Sequence, residues 1–239
     1  MARDTDEDWL HFGEFEPYYG VLTHERFLRA HLTPDALEEF WQTGREEVHR
    51  IWSELNRLFG PRAPQRALDF GCGVGRLTRA IGEIVPEVVG VDISPQMISE
   101  GRLHAPGNVI LTTNLGEERD FHWINSFIVF QHIPPERGYS LLEDLLNRAA
   151  DTCLLSLHFT FFKDARGLSD HGLDAMRFGI WDGEVIRPLI RTEQPLKMMM
   201  YDYDLTRIYA MLVAHRFTAV HLAHTDHAGA HGAHIFAAR

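Results

Sequence analysis

Hydrophobic and polar positions follow two different periods along this chain. Between residues 33 and 59 the apolar positions recur at helical spacing, with Val48, Ile51, Trp52, Leu55, Leu58 and Phe59 on one face. Thr33 followed by Pro34 reads as an N-cap with proline in the first turn, and Thr43 stands three residues before Glu46, the spacing of a capping box. This pattern predicts two helices that abut near Gly44, the second ending at "GPRAP".

From residue 66 the period changes. "RALDF", "EVVGV", "NVILT", "INSFIVF" and "TCLLSLHF" are apolar nearly throughout and each reads as a buried strand. Helical stretches separate most of them: "GRLTRAIGEI", "SPQMISEGRLH" with Ser94 as N-cap, and "PERGYSLLEDLLNRAA". Such alternation predicts an α/β fold, a mostly parallel sheet with right-handed crossovers and helices on both faces. One more helix, "YDLTRIYAMLVAHR", precedes two closing strands, "FTAVHLA" and "AHIFAAR", joined by a short histidine-bearing loop that includes Asp226 and His227. The expected division is a helical cap over 1–60 and an α/β domain over 61–239 with an insertion at about 160–200.

Composition narrows the partners. With 45% hydrophobic residues the 239-residue chain has enough apolar content for a full core. A formal net charge of −11, without a long basic run, argues against nucleic acid. No apolar stretch is long enough to span a bilayer, and the acidic start "MARDTDEDWL" is unlike an export signal, so a cytoplasmic setting is expected. Cys72 and Cys153 read as small packing residues rather than a disulfide framework.

The chemistry concentrates in "ALDFGCGVGRLT". Glycines at 71, 73 and 75 bare the backbone where the loop after the first strand meets a helix, the ligand edge of such sheets. A dinucleotide fingerprint wants a small residue at position 76, where this chain has Arg. Asp69 would repel a pyrophosphate and attract a ligand that carries an ammonium group.

"LDFGCGVGRLT", "VVGVDISPQMI" and "SFIVFQHIPP" together resemble motif I, the acidic loop and the segment after strand four of class I S-adenosylmethionine-dependent methyltransferases. The resemblance runs from residue 66 to about 158. It implies a Rossmann-like seven-stranded sheet with its last strand antiparallel, and S-adenosylmethionine as cofactor. It further implies that Gly71 and Gly73 lie against the methionine part, Asp69 helps hold the amino group, and Asp92 binds the ribose hydroxyls. Ile93 and Met97 would border the adenine, Asn114 and Leu115 would meet its edge, and Phe130 and Gln131 would sit under the cofactor at the end of strand four. "PYYGVLTHERF" and "FWQTGREEV" resemble the cofactor-covering N-terminal segment of small bacterial methyltransferases, which makes Tyr18, Tyr19, Trp41 and Thr43 candidates for a cover. The alternative for these rings is plain packing of the cap on the sheet.

For acceptor chemistry the candidates are His132 and His158, both expected at the sheet edge where the methyl group lies, with histidine suited to take a proton near neutral pH. A purely structural role is the competing reading for each. Of 15 histidines, five fall at 221, 224, 227, 231 and 234, but their spacing matches no compact ligand motif and no metal site is expected. The stretch 160–200 is long for a connection and carries Phe161, Phe162, Phe178, Trp181 and Met198 to Met200, which favours a lid over a small organic acceptor, with Arg187 and Arg191 available to an acidic group. A subunit contact is the alternative for it, and a monomer or homodimer is expected. The leading reading is a methyltransferase for a small-molecule acceptor, most naturally at oxygen. Its rivals are an enzyme of this fold that uses the sulfonium without methyl transfer, and a noncatalytic cofactor-binding or oligomerising protein.

Overall fold

The computed structural model describes residues 5–164, 166, 176–181, 186–190 and 200–239, with 176–181 and 186–190 described by their backbone. The N-terminal helices are α1 (Asp6–Phe15), α2 (Pro17–Val21) and α3 (Pro34–Phe59), with two 3-10 turns between α2 and α3. Thr33 Oγ1 accepts from the Ala36 amide at 3.2 Å, as an N-cap should.

The expected break at Gly44 is absent: α3 is one helix of 26 residues. The Thr43 hydroxyl does not cap. It donates instead to the Phe40 carbonyl at 2.7 Å, and Glu46 accepts from Gln42. Gly44 stays helical because its bare face lies on the backbone of Arg76, where a Cβ would stand 2.3 Å from the carbonyl oxygen.

The sheet follows with β1 (Arg66–Phe70), α4 (Arg76–Ile81), β2 (Glu87–Val91), α5 (Pro95–Arg102), β3 (Val109–Thr112), β4 (Phe121–Ser126), α6 (Pro135–Asn147) and β5 (Ala149–Lys163). Beyond these lie β6 (Met176–Trp181), β7 (Ile186–Ile190), a last helix (Leu205–Ala214), β8 (Ala219–His227) and β9 (Ala230–Ala238). Seven strands form one sheet in the order β3-β2-β1-β4-β5-β9-β8. β1 pairs in parallel with β2 and β4, and β2 with β3, whereas β9 runs antiparallel to both β5 and β8. This is the Rossmann-like order with an antiparallel last strand.

Three boundaries differ from the sequence reading. β4 covers 121–126 and not the run 124–130, because Ile128 takes φ 58°, a left-handed conformation closed to a continuing strand, and Phe130–His132 form a 3-10 turn. The closing hairpin turns on Ala228 and Gly229 alone, both at positive φ (52° and 90°), so Asp226 and His227 belong to β8 rather than to a loop. Part of the expected irregular insertion is also regular: 160–163 extend β5, and β6 pairs with β7 in antiparallel register. The remainder of that insertion, 165, 167–175, 182–185 and 191–199 with Arg191 among them, lies outside the described residues.

The chain divides into two compact units, one of Asp6–Asn125 with Ala149–Cys153, the other of Thr5, Ser126–Arg148 and Leu154–Arg239. In the first, α3 buries Phe40, Trp41, Val48, Ile51 and Leu55, and the rings of Trp52 and Trp123 lie 5.2 Å apart. Cys72 and Cys153 are both buried and free. In the second, the segment 201–204 is sewn to its neighbours. Tyr201 donates its amide to the Gln131 carbonyl, Tyr203 to that of Thr160, and the Tyr203 hydroxyl to that of Ile133. There Lys163 and Asp202 form a buried ion pair at 2.6 Å. No helix among the described residues is long and apolar enough to cross a membrane.

Candidate cofactor and acceptor sites

All the cofactor-side candidates except Phe130 and Gln131 lie in the first unit, with the glycine loop and the two acids at the ends of β1 and β2. Gly71, Gly73 and Gly75 adopt φ of 73°, 55° and 83°, conformations that L side chains resist, and this bends the loop back over the strand end. Val21 of α2 lies on that loop, so that a Cβ at Gly73 would come within 2.4 Å of Val21 Cγ2.

Two acids flank the glycines, Asp69 buried and Asp92 half-buried. Asp69 Oδ2 accepts from the Thr78 hydroxyl at 2.6 Å and Oδ1 from the Asn125 amide at 2.8 Å. Burial pushes the Asp69 carboxyl up to about 6, against the pull of those two hydrogen bonds and of the Arg76 charge. Asp92 Oδ2 accepts from the Gly73 amide and Oδ1 from the Ser94 amide, each at 2.9 Å. Its carboxyl is also raised by burial, with the Ser94 and Gly73 N–H groups opposing. Asp92 therefore ties the end of β2 to the glycine loop. Ser94 caps α5 by accepting from the Met97 amide at 3.3 Å.

Among the remaining candidates on this side, Ile93 is 43% exposed, an apolar side chain left open beside Asp92, while Met97 is buried and Leu115 nearly so. Asn114 is exposed and accepts the Gly116 amide at 2.8 Å within its own turn. Tyr19 is half-buried. Tyr18 and Trp41 are buried among rings, Tyr18 at 5.1 Å from Phe40 and Trp41 beneath the Arg79 guanidinium at 4.4 Å. The Tyr18 hydroxyl donates to Glu100 at 2.8 Å.

The remaining cofactor candidates, Phe130 and Gln131, and the two proton-acceptor candidates, His132 and His158, lie in the second unit. Phe130 is fully buried and stacks on Phe159 at 4.5 Å. Gln131 Nε2 stands 3.2 Å from His132 Nε2, and the Thr5 hydroxyl donates to the His132 carbonyl at 2.7 Å. His158 on β5 is fully buried, 2.8 Å from Thr225 Oγ1 through Nε2, with the rings of Phe127 and His227 at 5.4 and 5.2 Å. Gly232 of β9 makes the His158 contact possible: a Cβ there would meet His158 Nε2 at 2.6 Å and Thr225 Oγ1 at 2.7 Å.

A family model for a methyltransferase domain matches residues 41–225, more than half of the chain. The chain belongs to this methyltransferase family. Its sheet matches class I members of known structure. Magnesium protoporphyrin IX methyltransferase from Synechocystis PCC 6803, solved with bound SAM, aligns at TM-score 0.59 and 18% identity over 100% of this chain and 98% of that one. The 1,6-didemethyltoxoflavin-N1-methyltransferase of Burkholderia thailandensis aligns at TM-score 0.58 and 16% identity, covering 100% and 91%. Among curated sequences, an uncharacterized RNA methyltransferase of Lactococcus lactis is 33% identical over 86 residues, or 36% of this chain. A 23S rRNA (uracil-C5)-methyltransferase of Hahella chejuensis is 23% identical over 158 residues, 60% of this chain. The chain spans only 15% and 35% of the lengths of those two relatives.

In this methyltransferase several residues that the sequence reading passed over hold the acids in place. Thr78 sits in the first turn of α4 and Asn125 near the end of β4, and both donate to Asp69 from elements that only the fold brings beside it. Arg76, nine-tenths buried behind the glycine loop, was noticed in the sequence solely as a misfit to the dinucleotide pattern.

Proposed function

We propose that this methyltransferase uses S-adenosylmethionine to methylate a small organic acceptor, with oxygen as the nucleophilic atom. The observation that carries the reading is the pair of acids, buried Asp69 and half-buried Asp92, on either side of a glycine loop whose φ values leave its backbone bare. Two carboxylates beside the bared backbone suit a ligand that brings an ammonium and vicinal hydroxyls. The bound sulfonium supplies an electrophilic methyl group.

The chain's own residues bind, orient and exclude water. Asp92, already fixed by the Gly73 and Ser94 amides, accepts from the ribose hydroxyls with its remaining lone pairs, and Ile93 gives the adenine an apolar face. Asp69, braced by Thr78 and Asn125, fixes the ammonium end, with Gly71 and Gly73 giving close approach. Met97, Asn114 and Leu115 border the base, Tyr19 and Thr43 the cover, and Phe130 and Gln131 the floor. His132 or His158 takes the acceptor's proton. For His158 the Thr225 contact at Nε2 supports a fixed ring orientation. A small acceptor fits the acidic chain and the absence of a basic run, and the chain operates in the cytoplasm.

Calorimetry with S-adenosylmethionine tests the cofactor, and Asp92→Ala should weaken it by roughly 1.5–3 kcal/mol, the range for hydrogen bonds to a charged group. Formation of demethylated cofactor in a panel of phenols, carboxylic acids, amines and RNA then reads the acceptor class. Turnover with RNA alone would reject the small-molecule reading, and unaltered affinity in Asp92→Ala would reject the site.

A further inference from the structure

Arg76 is an anomaly by the rules that govern buried charge. It is 9% exposed, and its one hydrogen bond is a long one, from Nη1 to Thr43 Oγ1 at 3.3 Å. Its Nε, fully buried, has no hydrogen-bond partner. Among the described residues no carboxylate lies within ion-pair range of it. The other buried cation among the described residues, Lys163, has Asp202 at 2.6 Å. A buried guanidinium without an anion is strongly destabilising.

The acids that face it are occupied elsewhere. Asp69 and Glu47 act on Arg76 through space, but Asp69 spends an oxygen each on Thr78 and Asn125, and Glu47 accepts from Arg50. Nor is the side chain displaced by chance: α3 closes over it, with Gly44 stripped of a Cβ that would sit 2.3 Å from the Arg76 carbonyl oxygen and 3.0 Å from its Cγ. The fold gives up a side chain in the middle of a 26-residue helix in order to keep this residue where it is.

We propose that Arg76 receives the α-carboxylate of the cofactor's amino-acid end, with Thr43 orienting the guanidinium. This rests on the cofactor reading above and assigns a group that the glycine loop and the two acids leave unmatched. An amino-acid zwitterion brings one cation and one anion. Asp69 answers the first, and Arg76, the first residue after the glycine loop, answers the second with a planar fork shaped for a carboxylate. The charge that destabilises the empty protein is the charge that the ligand completes.

The test compares two ligands by calorimetry: S-adenosylhomocysteine, and 5′-methylthioadenosine, which keeps the nucleoside and thioether but lacks the amino acid. Arg76→Met should weaken S-adenosylhomocysteine by roughly ten- to a hundredfold and leave 5′-methylthioadenosine within about twofold. The same variant without ligand should melt at a higher temperature than wild type, because the unpaired charge is gone. Arg76→Lys keeps the charge without the fork and should give an intermediate loss, which preserves the test if the methionine variant folds poorly. Equal loss of both ligands, or no loss of either, overturns the assignment and leaves the cofactor site standing. Wild type that binds neither ligand overturns the cofactor reading and this inference with it.

Discussion

Asp69→Asn should make the ligand-free protein more stable at neutral pH while it weakens the cofactor site. Burial raises the Asp69 carboxyl from 3.8 to about 6, and at about 1.4 kcal/mol for each tenfold change in proton affinity, ionised Asp69 costs roughly 3 kcal/mol of folding stability. The folded state holds this proton more tightly than the unfolded chain. The penalty is therefore absent below about pH 4, where both states are protonated, grows as pH rises, and is complete above about pH 6. Asparagine removes the charge but presents an NH2 group to one of two former donors. The Thr78 hydroxyl, 2.6 Å away, is able to reverse and accept from it. Allowing about 1 kcal/mol for one weakened hydrogen bond, the net gain at pH 7 is about 2 kcal/mol. Urea unfolding of both proteins at pH 7.5 and pH 4.5 reads this as a gap that narrows or reverses in acid. A variant less stable than wild type at neutral pH, by the same amount at both pH values, would refute the claim that desolvation dominates at Asp69.

Two other substitutions probe the packing beneath the sites. Gly44→Ala raises intrinsic helix propensity by about 1 kcal/mol, yet it should destabilise by about 1–3 kcal/mol, since the new methyl would meet the Arg76 carbonyl at 2.3 Å; thermal melting decides the sign. Lys163→Met leaves Asp202 buried and unpaired, and should cost about 3–5 kcal/mol, whereas the double variant Lys163→Met with Asp202→Leu should recover most of it. Denaturant unfolding of wild type and these variants, with Asp202→Leu alone to close the cycle, measures that coupling.

Local signals made much of this fold legible. Thr33 and Ser94 cap the helices that their positions announce, because a cap is a matter of one side chain and the next three amides. The glycine loop was readable for a similar reason: its φ requirements are written in a few residues. What escaped was tertiary. The helix through Gly44 is continuous owing to a neighbour 32 residues further along the chain, and Ile128 ends β4 inside an apolar run that by composition should have continued it. The hairpin turn uses Ala228 and Gly229 in place of the asparagine-glycine pair that marks such turns in sequence, so its strands extend further than their apolar cores suggest. Arg76 carries no local mark of being buried.

The two cysteine thiols have a use of their own. Cys72 lies under β2, where a Cβ on Gly90 would stand 3.0 Å from its Sγ, and its thiol is pushed well above the ordinary range by burial. Cys153 is 1% exposed. Thiolate is the reactive form, so a maleimide added to the intact protein has almost nothing to attack. Each alkylation event then counts one excursion in which the first unit came apart, and the rate of labelling becomes a clock for that opening. A ligand that closes the glycine loop should slow the clock at Cys72, in a protein whose native chain already carries both of its reporters.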